Sequence, residues 1–191
     1  MNCFLACRLP ADSAAHLADY VAAELGPIPG VQWVTHDKFH VTTEFFGNQD
    51  SSAFCARVSG IVEPVCAGYA PMELAFDRLG SFSRRDNPHA VLYAGIADTD
   101  GALEDLVREI RAVLQDQGIA GERSAFVPHC TIGRTHHSLK DAAALRWEQA
   151  CLKEIGGQTF AIPSLSLMQT VPGNGGSRYE SVCELPFSAR R

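Results

Sequence analysis

FHVTTEFF at residues 39–46 and VPHCTIGR at residues 127–134 decide how this chain reads. Both stretches are short and rich in β-branched and aromatic residues, so both read as strands. Each holds the pattern His-x-Thr: His40-Val41-Thr42 in the first and His129-Cys130-Thr131 in the second. On a strand, side chains two positions apart share a face, roughly 6.5–7 Å from one another. Each stretch therefore offers an imidazole beside a hydroxyl and turns its middle residue the other way. One copy alone is an ordinary polar strand face; two copies in matched contexts point to a shared site.

The elements around the two stretches recur in the same order. Residues 3–8 read as a strand, and residues 12–25 carry Ala14, Leu17, Ala18, Val21 and Leu25 at helical spacing up to Gly26-Pro27. After the first motif, Ser51 and Ser52 offer N-caps to a helix with Phe54, Val58, Ile61, Val62 and Val65 on one face, and residues 72–79 form a strand. The series then repeats. Residues 90–97 are a strand, and Asp100 caps a helix carrying Leu103, Leu106, Val107, Ile110 and Leu114, closed by Gly118. The second motif strand, a helix near 141–153 and a strand near 160–170 follow. The opening strands start 87 positions apart, and the two histidines stand 89 apart. That regularity predicts two related lobes whose pseudo-twofold packing sets the motifs face to face. A loop at 81–89, holding Arg84 and Arg85, joins the halves, and 172–177 is a long hairpin connection before a last strand at 179–185. With no interdomain linker, residues 1–191 are expected to form one bilobal unit.

A chain of 191 residues with 46% hydrophobic and 20% charged side chains can bury one good core, or two small lobes packed together. Its formal net charge of −6 excludes the global basic field that drives tight binding to duplex DNA. The opening MNCFLACRLP lacks a basic n-region, and no stretch reaches the ~20 apolar residues of a membrane span. Seven scattered cysteines with no CxxC spacing suit a reduced, cytoplasmic protein.

Two facing imidazole–hydroxyl pairs suit acid–base chemistry on a phosphate. Opening a cyclic phosphodiester needs in-line attack, with one group taking a proton from water and another giving one to the leaving oxygen. Histidine serves both roles because its ordinary pKa is about 6.5. Threonine hydroxyls can hydrogen-bond the non-bridging oxygens as charge builds on them. The scheme calls for no metal and no cofactor.

The chain resembles the two-histidine (2H) phosphoesterases, in particular the bacterial and archaeal branch named 2'-5' RNA ligase or RNA 2',3'-cyclic phosphodiesterase. The resemblance runs along nearly the whole length. It includes the opening apolar strand ending in Leu9-Pro10, then Trp33-Val34, the run from His40 to Gly47, Leu79-Gly80-Ser81-Phe82, the run from Phe126 to Arg134, and Ser177-Arg178-Tyr179-Glu180. It implies an α+β fold of two pseudo-symmetric lobes, with antiparallel sheets flanking a central cleft and helices outside. It also implies metal-independent opening of a 2',3'-cyclic phosphate, at an RNA terminus or on a small nucleotide, to a 2'-phosphomonoester. His40 and His129 would be the proton-transfer pair, Thr42 and Thr131 would hold the phosphate, and Arg134 would be a further phosphate contact by analogy. The protein is expected to act as a monomer. Two rivals stand beside this reading: a phosphodiesterase acting on 2'-5' linkages or a cyclic ADP-ribose phosphate, and a non-catalytic module that binds phosphorylated nucleotides.

The chain also departs from the family. Asn2 stands where an arginine is frequent, and Thr43 and Glu44 stand where a leucine and a basic residue are common. If the strand stays regular, Glu44 projects on the motif's face, weakens attraction for RNA and raises the pKa of His40. Cys130, adjacent to His129, is expected to be a core thiol, and His136-His137 loop histidines rather than metal ligands. Of Phe45 and Phe46, one is expected in the core and the other free to stack on a base.

Overall fold

The apolar opening of the chain becomes an interior strand. Cys3, Phe4, Leu5, Ala6 and Cys7 are all buried, so both faces of that strand are covered, which an unbroken apolar run anticipates. The structure is a computed structural model that describes residues 2–49, 52–84, 87–119, 121, 124–157, 159–173 and 178–189, with 84, 87 and 88 in backbone only. Its elements in order are β1 (Asn2–Arg8), α1 (Ala11–Glu24), β2 (Val31–Trp33), β3 (His40–Asn48), α2 (Ser52–Ala67), β4 (Met72–Arg84), β5 (Asn87–Ala97), α3 (Ala102–Asp116), β6 (His129–Thr135), α4 (Asp141–Cys151), β7 (Phe160–Ile162), β8 (Ser164–Val171) and β9 (Arg178–Pro186).

All strand pairs are antiparallel, in the order β7-β4-β5-β6-β3-β1-β8-β9, with β2 on β6. The order is nearly a palindrome about the contact of β6 with β3. Moving outward, β5 answers β1 and β4 answers β8. Each half thus lays its fourth strand against the first strand of the other half, β4 on β5 and β8 on β1. At the centre, β3 and β6 meet in one residue pair, Val41 with Cys130. These are the middle residues of the two motifs, so the pseudo-dyad passes between them.

The likeness of the halves extends to the bulges. On β3, Leu5 faces Glu44 and Ala6 faces Thr42, which leaves Thr43 as an extra residue. On β6, Leu92 faces Gly133 and Tyr93 faces Thr131, which leaves Ile132 extra. Each bulge falls three residues after its histidine and breaks the alternation, so the burial pattern over His40–Phe46 repeats over His129–Thr135. Thr43 is tied down by its hydroxyl, which donates to the Leu5 carbonyl at 3.2 Å.

The helices bury apolar stripes on one side of the sheet: Ala14, Leu17 and Val21 from α1; Cys55, Val58, Val62 and Cys66 from α2; Leu103, Leu106, Val107, Ile110 and Leu114 from α3. They meet Cys3, Leu5, Cys7, Val41, Cys130 and Ile132 in one core. At about 1.5–3 kcal/mol for each large side chain fully buried, this layer is the main source of stability. A second, small cluster of Phe4, Ala6 and Met168, with Tyr179 against it, covers the other side of β1.

Several boundaries differ from expectation. Residues 81–84 and 87–89 are not a loop; β4 and β5 continue through them as a hairpin, with Ser81 opposite Leu92 and Phe82 opposite Val91. Pro163 has no N–H to donate, and the strand expected near 160–170 is split there into β7 and β8, which edge different strands. Asp98, not Asp100, caps α3, its carboxylate accepting from the Leu103 and Glu104 amides at 2.9 and 3.1 Å. Strand β2 was not anticipated. Ser51, Arg85 and the loop residues 174–177 lie outside the described residues. Among the described residues, no helix is long and apolar enough to cross a membrane.

Candidate active site

Both motif histidines are anchored in the same way. The Nδ1 of His40 lies 2.7 Å from the Lys38 carbonyl, and that of His129 lies 2.7 Å from the Val127 carbonyl. A carbonyl only accepts, so each Nδ1 carries the proton and each Nε2 is the basic nitrogen. In both cases the acceptor is two residues upstream, on the segment leading into the strand. A one-turn 3-10 helix at His36–Lys38 supplies it for His40; the stretch ending in Pro128 supplies it for His129.

Two aromatic rings hem in each imidazole. Tyr179 meets His40 edge-on at 5.0 Å between ring centres, and Phe4 lies 5.3 Å away. Phe82 meets His129 edge-on at 4.9 Å, and Tyr93, stacked on Phe82 at 4.4 Å, lies 5.4 Å away. The Tyr93 ring lies over Gly80, its partner in the sheet; a Cβ at that position would fall 2.6 Å from the ring's Cζ. Glycine at 80 is therefore the condition for the ring to lie there.

Thr42, Thr131, His129 and Arg134 line one cavity of about 820 Å³. His40 lines a neighbouring hollow of about 230 Å³ with Arg8, Lys38, Arg178 and Tyr179. The two histidines are close enough to feel each other. The pKa of His40 is held below the ordinary histidine value, first by burial and then by the charges of His129, Arg8 and Arg134; the Lys38 carbonyl opposes them. Phe45, Phe82 and Val127 are left exposed, and all three line the larger cavity. Phe46 is buried against Phe54, 5.5 Å between ring centres, as one of the adjacent pair had to be.

Glu44 departs from expectation. The bulge at Thr43 changes its phase, and its carboxylate is buried at the cavity wall, where it accepts from Arg111 Nε at 2.7 Å. Arg111 also donates to the Ser124 carbonyl at 2.8 Å, tying α3 to the segment that leads to His129. The predicted rise in the His40 pKa is reversed, because burial lowers it. Cys130 is fully buried, and burial pushes its thiol up to about 12, which leaves it a protonated core residue. His136 and His137 are exposed, and the described residues hold no cluster of three or more His, Cys, Asp or Glu side chains fit for a metal ion.

The rings beside the histidines and the pair Glu44–Arg111 were missed by sequence reading. Phe82 and Gly80 stood in a quoted motif, and their alternation was a usable signal; Arg111 gave none, since it is one of several charges on an amphipathic helix.

Residues 10–171 match the family model described as the 2'-5' RNA ligase superfamily. Among curated proteins, the chain is 24% identical over 184 residues to an RNA 2',3'-cyclic phosphodiesterase of Geobacillus stearothermophilus; the match covers 96% of this chain and 56% of that one. The chain thus spans little more than half the length of that relative. Similar solved structures include the protein TT0787 of Thermus thermophilus, with a TM-score of 0.79 at 18% identity over 100% of both chains. E. coli LigT complexed with 3'-AMP gives a TM-score of 0.79 at 19% identity over 98% of both chains.

Proposed function

This chain belongs to the 2'-5' RNA ligase superfamily, and we propose that within it the protein opens 2',3'-cyclic phosphates, on an RNA end or a small nucleotide, to 2'-phosphomonoesters. The observation that carries the reading is the matched anchoring of His40 and His129 on either side of the pseudo-dyad, each with Nε2 as its basic nitrogen. In-line displacement needs a base on one side of phosphorus and an acid on the other, and two such imidazoles supply both. Thr42 and Thr131 line the larger cavity, where their hydroxyls can bond the non-bridging oxygens, and Arg134 adds positive charge there. Phe45, Phe82 and Val127 give a base something to stack on. The names of the relatives favour the same chemistry: an RNA 2',3'-cyclic phosphodiesterase, and a LigT complexed with 3'-AMP.

On this reading the protein works as one bilobal unit over residues 1–191, as a cytoplasmic monomer, and the reaction needs no metal. The test is incubation with an oligonucleotide ending in 2',3'-cyclic phosphate in the presence of EDTA. Conversion to a 2'-phosphate is expected. No turnover on the oligonucleotide or on a cyclic mononucleotide would overturn the reading.

A further inference from the structure

The pseudo-dyad is broken in an instructive way. In the β1–β3 register Arg8 stands opposite His40, whereas in the β5–β6 register Gly95 stands opposite His129. Six positions into each motif strand, the exposed residue is Phe45 on one side and Arg134 on the other. The hollow beside His40 is walled by Arg8, Lys38 and Arg178, together with Tyr179. Asp37 is the one carboxylate among its described lining residues, and Arg178 is paired with Glu180 at 3.0 Å. Arg8 and Lys38 make no ion pair among the described residues. The larger cavity beside His129 sets the exposed Phe45, Phe82 and Val127 beside Thr42, Thr131 and Arg134. That side of the histidine pair thus suits a nucleobase together with the reacting phosphate, and the hollow beside His40 suits a further anion.

We infer that the hollow formed by Arg8, Lys38, Arg178 and Tyr179 is a second anion subsite, which takes a phosphate group of the nucleotide across the scissile phosphate. The inference rests on the cyclic-phosphate reading for its orientation, since the nucleoside carrying the reacting phosphate would occupy the larger cavity. The hydrolytic site then serves a group on its far side as well: the departing nucleotide of a linkage, or an incoming one in the reverse reaction. Arg8, standing across the strand pair from His40, binds this phosphate and also adds to the positive field at the imidazole.

The test has two arms. In the first, kcat/KM is measured at low salt on a 2'-5'-linked dinucleotide with and without a 3'-phosphate on its 5'-linked nucleoside. The wild type is expected to prefer the phosphorylated form by about tenfold, the effect of one good charge-assisted contact. In the Arg8→Gln/Lys38→Gln protein this ratio is expected to fall to near one, whatever happens to the absolute rates. In the second arm, inorganic phosphate is titrated while the Arg8 Nε–Hε and Tyr179 ring signals are followed by NMR, in wild type and in a Thr42→Val/Thr131→Val protein. Saturable shifts in both proteins support the subsite even if no dinucleotide turns over; absence of turnover on a 2',3'-cyclic phosphate assayed alongside would count against the cyclic-phosphate reading alone. Turnover without preference for the extra phosphate, or Arg8 signals that do not respond to phosphate, would overturn the inference.

Discussion

Gly80→Ala should damage the site far more than the fold. A Cβ at this position would lie 2.6 Å from both Cζ and Oη of Tyr93. Carbon atoms in ordinary contact sit about 3.5–4.0 Å apart, so the ring must retreat by roughly 1 Å. The atoms that move are the tip of one side chain, which places the overpacking cost near the low end of the usual ~1–3 kcal/mol. At about 1 kcal/mol, Tm should fall by about 2–4 °C for a chain of this size. The consequence for chemistry is larger. Tyr93 stacks on Phe82 at 4.4 Å, and both rings pack against His129, at 5.4 and 4.9 Å. A misplacement of about 1 Å at a reacting group can cost about 10²-fold in rate. The assay pairs kcat/KM on a 2',3'-cyclic phosphate with the ring signals of His129 in NMR spectra. Tyr93→Leu, which removes the ring without adding a clash, should lower kcat/KM similarly. A Gly80→Ala protein with the expected small loss in Tm, unchanged His129 signals and kcat/KM within about twofold of wild type would refute the argument that these rings position the imidazole.

Arg111→Leu leaves the buried Glu44 carboxylate without its 2.7 Å partner and should destabilise by about 2–4 kcal/mol, less than for a fully buried pair because Arg111 is partly exposed. Chemical denaturation of Glu44→Leu/Arg111→Leu should recover much of that loss; additive losses in the two single variants would contradict the pairing. For His40, a pH titration followed by NMR should give a pKa below histidine's ordinary ~6.5, and His129→Ala should raise it without restoring it fully, since burial is the larger cause. The sign follows for stability. A histidine whose folded pKa is depressed contributes fully above about pH 6.5 and loses that contribution as pH falls below it. His40→Gln should therefore flatten the acid side of the stability curve, and a curve unchanged by the substitution would count against a depressed pKa.

The strands that carry the motifs and the apolar faces of the helices were legible because their periodicity is local. The pseudo-symmetry was legible as well, through the recurrence of element order, and the register of Val41 with Cys130 places its axis. What stayed hidden is non-local. Nothing near Glu44 in sequence announces Arg111, 67 residues away, as its partner. The extra residue at Thr43 looks like any other strand position until β1 is laid beside it. Sequence reading also took 81–89 for a loop because Ser, Arg, Asp, Asn and Pro cluster there, although Phe82 on one arm and Ala90 and Val91 on the other continue the pairing of β4 with β5.

The central claim is that His40 and His129 transfer protons from opposite sides of one phosphorus. Its most direct test is the pH dependence of kcat/KM for the wild type, His40→Ala and His129→Ala on the same 2',3'-cyclic phosphate, in EDTA. The account predicts a bell-shaped profile for the wild type, a loss of about 10²–10⁴ in each variant, and the disappearance of a different limb of the bell in each. Near-wild-type activity in either variant, or loss of the same limb in both, would contradict it.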